Sequence, residues 1–426
     1  MSNWFLQSRF GIFSHYTCFK PEFRQTVFPD GSYPVDLDHL ADQFNAAGFA
    51  ADAHRFGVDY VTITAWHAAM NVLYPSAASD RWRPGHAAKR DVIRDLIDAL
   101  RPYGIRLMLY IHVTDGHDFT PEDQLATGWN DPSNAYGNWN NFVNAVVEEL
   151  SERYGTGIDG YWLDMVFDAD NFHRIDKARL RHSLLAGNPD RVIVGNGGYG
   201  DGPIASDGVV TDYASKEMFN IPQDNGSWQA AENQIATVAT IKGNAPDYVW
   251  WASIPQGANA LMYAPEDMYR FTVLQAAVNR NGGGMLWSAG NYAGYGALWE
   301  DGVEEGFMAL GAYIAAAGES LRGSMPSTSY VRDSGATLNG LTDGIAATKS
   351  PDDRTEYIHV LFPPQGNVLV LPVPADGKRF DGGTIMGTGT PVAVSQDESG
   401  VTIVRSDADA WDRPNTIIRL TVSERP

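Results

Sequence analysis

The chain has 426 residues, 44% of them hydrophobic, and its 31 Lys and Arg against 52 Asp and Glu give a net charge of −21 at pH 7. That length is enough for one large domain and a smaller one. A surface this acidic repels phosphate groups, and the sequence has no basic run that would follow a nucleic-acid backbone or an anionic lipid surface. Composition therefore argues against nucleic-acid and membrane partners.

Cysteine content and the N-terminal sequence bear on the compartment. Cys18 is the single cysteine, so a disulfide within the chain and a cysteine-based zinc site are both excluded. The N-terminus lacks a basic segment followed by an apolar core, and no apolar run approaches the ~20 residues that span a bilayer. We therefore expect a cytoplasmic protein, or a secreted one if a leader was removed from this sequence.

Short apolar and β-branched runs alternate with helical patterns up to residue 326, as expected of parallel strands buried on both faces. The predicted strands are Arg9–His15, Tyr60–Trp66, Arg106–Val113, Gly160–Val166, Arg191–Asn196, Val209–Ala214, Tyr248–Ile254 and Gly284–Ser288. Apolar residues with a 3.6-residue period predict helices between them, for example Arg90–Tyr103 and Asn140–Tyr154. This alternation predicts a (β/α)₈ TIM-like barrel over residues 1–326, with an open doubly wound sheet as the alternative.

After Pro326 the pattern changes to alternating strands separated by turn residues, without helices. The predicted strands here are Tyr357–Leu361, Asn367–Val373, Thr384–Met386, Pro391–Ser395, Val401–Arg405 and Thr416–Val422. They predict a small C-terminal antiparallel β-sandwich over residues 327–426. We expect this domain to support the barrel or to face carbohydrate.

Two carboxylates stand where the active site of such a barrel lies, at the C-terminal ends of strands. Asp164 closes an otherwise apolar run, and Glu217 follows the sixth run. Glycoside hydrolysis needs two carboxyl groups with different pKa values, one as nucleophile or base and one as proton donor. Asp164 as a cap of the next loop and Glu217 as a partner of Lys216 stay open as alternatives. Other proton-donor candidates are Glu300, Glu304 and Glu305.

Histidine and aromatic residues near other strand ends are candidates for substrate binding, since imidazole both donates and accepts hydrogen bonds and flat rings form apolar walls. The candidates are His15, Trp66, His67, Tyr110, His112, Trp162, Trp251 and Trp287. His112, Asp115 and His117 have metal-ligating side chains, but no His-Glu-x-x-His pattern appears, and we predict neither a metal nor an organic cofactor. The glycine-rich run 195–202 is interpreted as a rim loop, because Pro203 follows where a phosphate loop needs a helix.

Several segments occur in an order shared with a known family. They are Arg9-Phe10-Gly11-Ile12-Phe13-Ser14-His15-Tyr16, Asp59-Tyr60-Val61-Thr62-Ile63-Thr64-Ala65-Trp66-His67, Tyr103-Gly104-Ile105-Arg106-Leu107, Trp162-Leu163-Asp164 and Asp212-Tyr213-Ala214-Ser215-Lys216-Glu217. Together they resemble glycoside hydrolase family 29, the α-L-fucosidases. The resemblance implies that Asp164 is the nucleophile of a retaining reaction and that Glu217 supplies the proton.

The chain departs from the family pattern around the sugar-binding groups. The family continues His-His-Asp-Gly-Phe where this chain reads His67-Ala68-Ala69-Met70-Asn71, so one histidine is absent. An Asn-Asp-Arg after the fifth strand is replaced by Asn196-Gly197-Gly198. The family's Glu-Trp pair has no counterpart after the first strand. Losing a hydrogen-bond partner to a hydroxyl changes specificity by orders of magnitude, so these departures concern the sugar more than the reaction.

The sequence as a whole predicts a retaining exo-α-glycosidase, similar to the α-L-fucosidases, that removes a terminal α-linked sugar from an oligosaccharide or glycoside. One alternative is the same mechanism on a sugar other than fucose. Another is a carbohydrate-binding protein that has lost catalysis, although retention of both carboxylates argues against it.

Overall fold

The structure is a computed structural model. It describes residues 3–18, 26–164, 172–196, 209–217, 246–251, 264–278, 283–294, 298–331, 344–406, 411–412 and 414–424.

Eight parallel strands form a closed barrel, in which each strand pairs with the next along the chain and the eighth pairs with the first. The strands are β1 (Phe10–Ser14), β2 (Tyr60–Thr64), β3 (Arg106–His112), β4 (Gly160–Asp164), β5 (Val192–Asn196), β6 (Tyr213–Glu217), β7 (Pro246–Trp251) and β8 (Met285–Ser288). Closure confirms the predicted (β/α)₈ barrel. It also rules out the open sheet, in which the first and last strands do not pair.

Each predicted barrel strand overlaps an observed one, and the sixth shows the largest displacement. The sequence predicts Val209–Ala214, whereas the strand begins at Tyr213. Val209 is exposed, and the carboxylate of Asp212 accepts a hydrogen bond from the backbone N–H of Ile193 at 3.0 Å. The backbone N–H of Asp212 in turn donates to the carbonyl oxygen of Ile193 at 2.8 Å, so Asp212 pairs with β5 through both its backbone and its side chain.

Helices accompany the strands, and those of residues 92–100 and 137–154 bury apolar side chains on one face, as in other barrels of this type. The helices are α1 (Asn3–Gln7), α2 (Leu37–Asp42), α3 (Ala46–Phe56), α4 (Ala77–Trp82), α5 (Val92–Leu100), α6 (Pro121–Thr127), α7 (Gly137–Tyr154), α8 (Lys177–Leu185), α9 (Pro265–Val278) and α10 (Val303–Ala317). In α5 the side chain of Asp91 caps the helix by accepting from the N–H of Arg94, a contact that satisfies one of the free N–H groups of the first turn. Among the described helices, none has the length and apolar character needed to cross a membrane.

Side chains of the barrel strands alternate between the interior and the layer beneath the helices. One apolar cluster, which includes the interior side chains, comprises Phe5, Phe13, Tyr60, Met108, Tyr110, Trp162, Val192, Val194, Tyr213 and Leu286. A Cβ at Gly11 would lie 2.6 Å from the ring of Tyr60, so glycine makes room for that ring. Because the interior is filled by side chains, a substrate site has to lie at an end of the barrel.

The C-terminal part is the predicted antiparallel β-sandwich. Its strands are β9 (Met325–Pro326), β10 (Ile345–Lys349), β11 (Thr355–Val360), β12 (Val368–Leu371), β13 (Arg379–Ile385), β14 (Pro391–Asp397), β15 (Gly400–Arg405) and β16 (Thr416–Glu424), hydrogen-bonded in the order β12-β15-β14-β13-β16-β11-β10-β9. The sequence did not predict β9 or β10. Since β9 pairs with β10, residues on the barrel side of the predicted boundary take part in this sheet.

Buried polar groups fix the segment that leads into β9 and join the helices of the barrel to the C-terminal sheet. The guanidinium of Arg9, at the start of β1, donates to the carbonyl oxygens of Leu321 at 3.0 Å and Ser324 at 2.6 Å. Between α9 and the C-terminal sheet, the amide of Asn415 donates to the hydroxyl of Tyr269 at 2.9 Å and lies 3.0 Å from Nδ1 of His359. Burial lowers the pKa of His359 to about 3, so this histidine is neutral at the junction.

Candidate active site

The parallel strands bring polar residues to the carboxyl end of the barrel. His112, Asp164, Asn196 and Glu217 are the last residues of β3, β4, β5 and β6. His15 follows β1 directly, and His67 lies shortly after β2. Residues from distant parts of the sequence therefore share one face, which is where active sites of this fold lie.

Asp164 is held by donors on both neighbouring strands. The hydroxyl of Tyr110, on β3, donates to Oδ2 at 2.5 Å, and the amide of Asn196, on β5, donates to Oδ1 at 2.7 Å. The aspartate itself is half-buried. With one donor on each oxygen, the rotation of the carboxylate is fixed, as required of a group that reacts in one direction.

Five ring-bearing side chains form a connected group that we call the histidine–aromatic cluster, namely His15, His67, Tyr110, His112 and Trp162. The ring of Tyr110 stacks on Trp162 and on His67, with centroid distances of 5.4 and 5.3 Å, and meets the edge of His15 at 4.8 Å. The ring of His112 lies 6.0 Å from that of His67. Because Tyr110 also donates to Asp164, the cluster and the carboxylate form one continuous site.

His112 forms a buried ion pair within the site. Its Nδ1 lies 2.8 Å from Oδ1 of Asp115, and the two side chains are 7% and 2% exposed. Burial alone lowers the pKa of His112, but Asp115, supported by Asp164 and Asp118, raises it to about 9. His112 is therefore cationic at neutral pH, and both of its ring nitrogens are donors.

The turn that carries His67 has an unusual backbone. Ala69 and Met70 have φ angles of 56° and 45°, in the left-handed region. This region costs a residue with a side chain ~1–2 kcal/mol. The family that this sequence resembles has glycine at the position of Met70, and glycine adopts this conformation freely. Contacts elsewhere must therefore hold the turn.

Two predicted substrate-binding residues lie away from the cluster. Trp66 is 1% exposed and packs beneath the helices, where its indole N–H donates to the carbonyl of His112 at 3.0 Å. Trp287 is fully buried in the same layer. A one-residue step along a strand reverses the face on which a side chain lies, which the sequence pattern did not resolve here.

Two other predicted residues are described by their backbone alone. Glu217 ends β6 and Trp251 ends β7, where they pair in register with Val249 and Ser288. Their side chains lie outside the described part of the structure, as does most of the glycine-rich run, residues 197–202. The roles assigned to Glu217 and Trp251 remain predictions.

Other charged candidates have partners of their own. Glu304 forms an ion pair of 2.5 Å with Arg55 on the outer surface. Potential ligand atoms of Asp115, His117 and Asp118 lie within 4.8 Å of one another. However, Asp115 pairs with His112, and His117 lies 3.3 Å from Asp118, so we assign no metal to this group.

Two residues of the site had no predicted role. The sequence marked Asn196 only as a strand end, and its contact with Asp164 depends on the strand register. Asp115 was considered only as a metal ligand, although a carboxylate three residues after His112 is a spacing that allows an ion pair across a turn.

Comparisons with known proteins agree with this geometry. The model of a family described as Alpha-L-fucosidase matches residues 34–236. Among solved structures, α-L-fucosidase isoenzyme 1 from Paenibacillus thiaminolyticus is 19% identical, with a TM-score of 0.69 over 99% of this chain and 98% of that one. A family 29 α-L-fucosidase from Bacteroides thetaiotaomicron, trapped as a covalent intermediate in complex with 2-fluoro-fucosyl fluoride, is 17% identical, with a TM-score of 0.71 over 99% and 96%. No curated protein sequence matches the chain significantly.

The family match identifies the chain as a glycoside hydrolase, and its (β/α)₈ barrel with a C-terminal β-sandwich is the fold of the matched fucosidase structures. Within that class, residues 34–236, just under half of the chain, match the α-L-fucosidase family, in line with the resemblance of the sequence to glycoside hydrolase family 29. The resemblance seen in the sequence is thereby confirmed.

Proposed function

We propose that this fucosidase-like glycosidase is an exo-acting enzyme that hydrolyses a terminal α-linked sugar with retention of configuration. The observation that supports this most directly is the placement of Asp164, which is fixed by Tyr110 and Asn196 and bordered by histidines at the carboxyl end of the barrel. A fixed carboxylate beside hydroxyl-binding side chains is what attack on an anomeric carbon requires.

In the first step Asp164 attacks the anomeric carbon. A bond forms between its oxygen and that carbon, while the bond to the leaving oxygen breaks. Glu217 gives its proton to the leaving oxygen, so that an alcohol departs and a covalent glycosyl-enzyme remains. The backbones of β4 and β6 stand two strand spacings apart, ~10 Å. That separation is compatible with the ~5–5.5 Å between carboxyl groups that retention requires.

In the second step a water molecule attacks the same carbon. Glu217, now a carboxylate, takes a proton from the water, and the ester bond to Asp164 breaks. The sugar leaves with its original configuration, and both carboxyl groups return to their starting states.

The histidine–aromatic cluster binds the sugar in this proposal. His15 and His67 face the hydroxyls as donors and acceptors and His112 faces them as a donor, while Trp162 and Trp251 form apolar walls. As a cation, His112 acts only as a donor. It therefore suits a hydroxyl or ring oxygen that accepts.

Asp164→Gly tests the nucleophile. The variant is expected to lose turnover of an aryl α-L-fucoside and to regain it with azide, which occupies the vacated space and yields a β-glycosyl azide. Trapping with a 2-fluoro-fucosyl fluoride, followed by peptide mass spectrometry, should label Asp164 in the wild type. Full activity of Asp164→Gly, or a label on another residue, contradicts the assignment.

A second candidate is the same mechanism on a sugar other than fucose. It is favoured by Ala68 and by Asn196-Gly197-Gly198, where the family has a histidine and an arginine. Aryl α-glycosides that differ only in the sugar distinguish the two, by the ratio of kcat/KM values. Sugar binding with no turnover of any member of the panel points instead to a binding protein.

A further inference from the structure

A buried arginine holds the strained turn that carries His67. The side chain of Arg83 is 1% exposed, although its residue lies beyond α4, outside the barrel. Its Nη1 donates to the carbonyl oxygen of Ala69 at 2.7 Å. Ala69 is the first of the two left-handed residues, so the hydrogen bond is made to the strained part of the turn.

The guanidinium is itself fixed by the segment that follows β3. It lies 3.6 Å from the ring centre of Phe119, and its Nε lies 3.1 Å from Oδ2 of Asp123. Phe119 directly precedes Thr120, the N-cap of α6, and Asp123 lies in the first turn of that helix. Arg83 therefore connects the turn after β2 to the segment after β3.

A second set of contacts ties the end of the same turn. His86, three residues after Arg83, lies 2.7 Å from Oδ1 of Asn71, and its Nδ1 is 3.1 Å from Nη2 of Arg83. Asn71 in turn donates to the carbonyl of Cys18, in the segment after β1, at 2.8 Å. Burial and the charge of Arg83 lower the pKa of His86, which keeps this imidazole neutral. The turn is thus held at Ala69 and again at Asn71.

The effect reaches the reacting group through His67. The ring of His67 stacks on Tyr110, and Tyr110 donates to Asp164. If the turn relaxes to an ordinary right-handed conformation, His67 moves off Tyr110. A displacement of ~1 Å at an active site costs up to ~100-fold in rate.

We propose that Arg83 is a positioning residue, which keeps the turn of residues 67–70 in its left-handed conformation and thereby holds His67 against Tyr110 and the substrate. The proposal rests on the proposed function for its kinetic consequence, but its structural consequence is measurable without turnover.

The test compares Arg83→Met with a matched control, Arg191→Met. Arg191 is another buried arginine that donates to backbone carbonyls, among them those of Leu184 and Ser151, but it lies away from the site. Both variants are expected to melt at lower temperature. Arg83→Met is expected to lower kcat/KM on the aryl glycoside by about 10- to 100-fold, mainly through kcat, whereas Arg191→Met changes it less than about threefold.

A rescue variant separates positioning from general destabilisation. Glycine enters the left-handed region without cost, so Ala69→Gly in the Arg83→Met background should restore the turn. We expect kcat/KM of the double variant to be at least about threefold higher than that of Arg83→Met. Arg83→Lys keeps the charge opposite Asp123 but lacks the planar guanidinium group, which contacts Ala69 and Asp123 at the same time. It should fold even if Arg83→Met does not, and it should lower kcat/KM less.

Imidazole ¹H–¹⁵N spectra supply a readout that does not depend on activity. The His67 signals, assigned with His67→Gln, should shift in Arg83→Met or Arg83→Lys, return with Ala69→Gly, and stay in place in Arg191→Met. If the wild type hydrolyses no glycoside, the proposed function fails while these spectra still decide the role of Arg83. Unshifted His67 signals in both Arg83 variants, or equal kinetic losses in Arg83→Met and Arg191→Met, overturn the inference.

Discussion

The hydroxyl of Tyr110 donates to Oδ2 of Asp164 at 2.5 Å, and the same ring is stacked between His67 and Trp162. The orientation of the proposed nucleophile therefore depends on ring packing as well as on one hydrogen bond. Tyrosine can meet both demands because its ring is apolar while its hydroxyl is polar.

Tyr110→Phe keeps the stacked ring and removes the hydrogen bond. A hydrogen bond to a charged group contributes about 1.5–3 kcal/mol, so kcat should fall by about 10- to 100-fold with little change in melting temperature. Steady-state kinetics and thermal unfolding check this.

Tyr161→Phe is the matched control. Tyr161 lies on β4 but in the layer beneath the helices, where its hydroxyl contacts that of Ser151 at 2.8 Å. This change should alter stability but change kcat by less than about twofold, because Tyr161 is remote from the site at the carboxyl end of the barrel. An equal loss of kcat in both variants contradicts a specific role for Tyr110.

The His112–Asp115 pair predicts how stability changes in mildly alkaline solution. The pKa of His112 is about 9 in the folded chain, against about 6.5 in the unfolded chain. The folded state therefore holds more protons between these values. The free energy of unfolding should fall as pH rises from about 6.5 to 9, by on the order of 3 kcal/mol. Denaturant titrations across this range measure the change.

Asp115→Asn removes the charge that raises the pKa of His112. The variant should be less stable at pH 6.5, and its free energy of unfolding should vary less between pH 6.5 and 9. An unchanged slope in Asp115→Asn means that another group causes the pH dependence.

His359 predicts that, in acid, the free energy of unfolding changes with pH in the opposite direction. Burial lowers its pKa to about 3, so the unfolded chain binds the proton more readily than the folded chain between about 3 and 6.5. Its contribution to stability is complete above pH 6.5 and is lost as pH falls toward 3, on the order of 5 kcal/mol. His359→Gln should reduce this dependence in acid denaturation experiments. His182→Gln, at an exposed position on α8, should not.

Gly11→Ala tests the packing of the barrel interior. The added methyl group would lie 2.6 Å from the ring of Tyr60, whose hydroxyl is tied to the carbonyl of Gly283 at 2.9 Å. Overpacking of this kind should cost about 1–3 kcal/mol of unfolding free energy. Gly382→Ala, which meets no atom within 4 Å, should be neutral or mildly stabilising. Equal effects of the two changes would show that close packing around Gly11 is not the cause.

The barrel was predictable because its strands are buried on both faces and read as continuous apolar runs. β10 was missed because its Ile-Ala-Ala-Thr-Lys sequence has a weak strand preference, and long-range pairing with β11 decides its conformation. The start of the sixth strand likewise depends on long-range pairing, since Asp212 pairs with Ile193 of β5 through its backbone N–H and its carboxylate.

Within the site, the residues at the strand ends were predictable, but the side of the strand on which each side chain lies was not. Asp164 and the histidines close apolar runs, a pattern visible in one sequence. The inward or outward orientation of Trp66 and Trp287 depends on a single-residue step. The burial of Arg83 depends on contacts with Ala69, Phe119 and Asp123, which lie up to 40 residues away and give no local signal.

The closure of the barrel through its first strand has a consequence during synthesis on the ribosome. β1 needs β8, which begins at Met285, and the guanidinium of Arg9 needs the carbonyl oxygen of Ser324. A nascent chain therefore cannot complete the pairing of β1 or the contacts of Arg9 until most of the polypeptide has emerged.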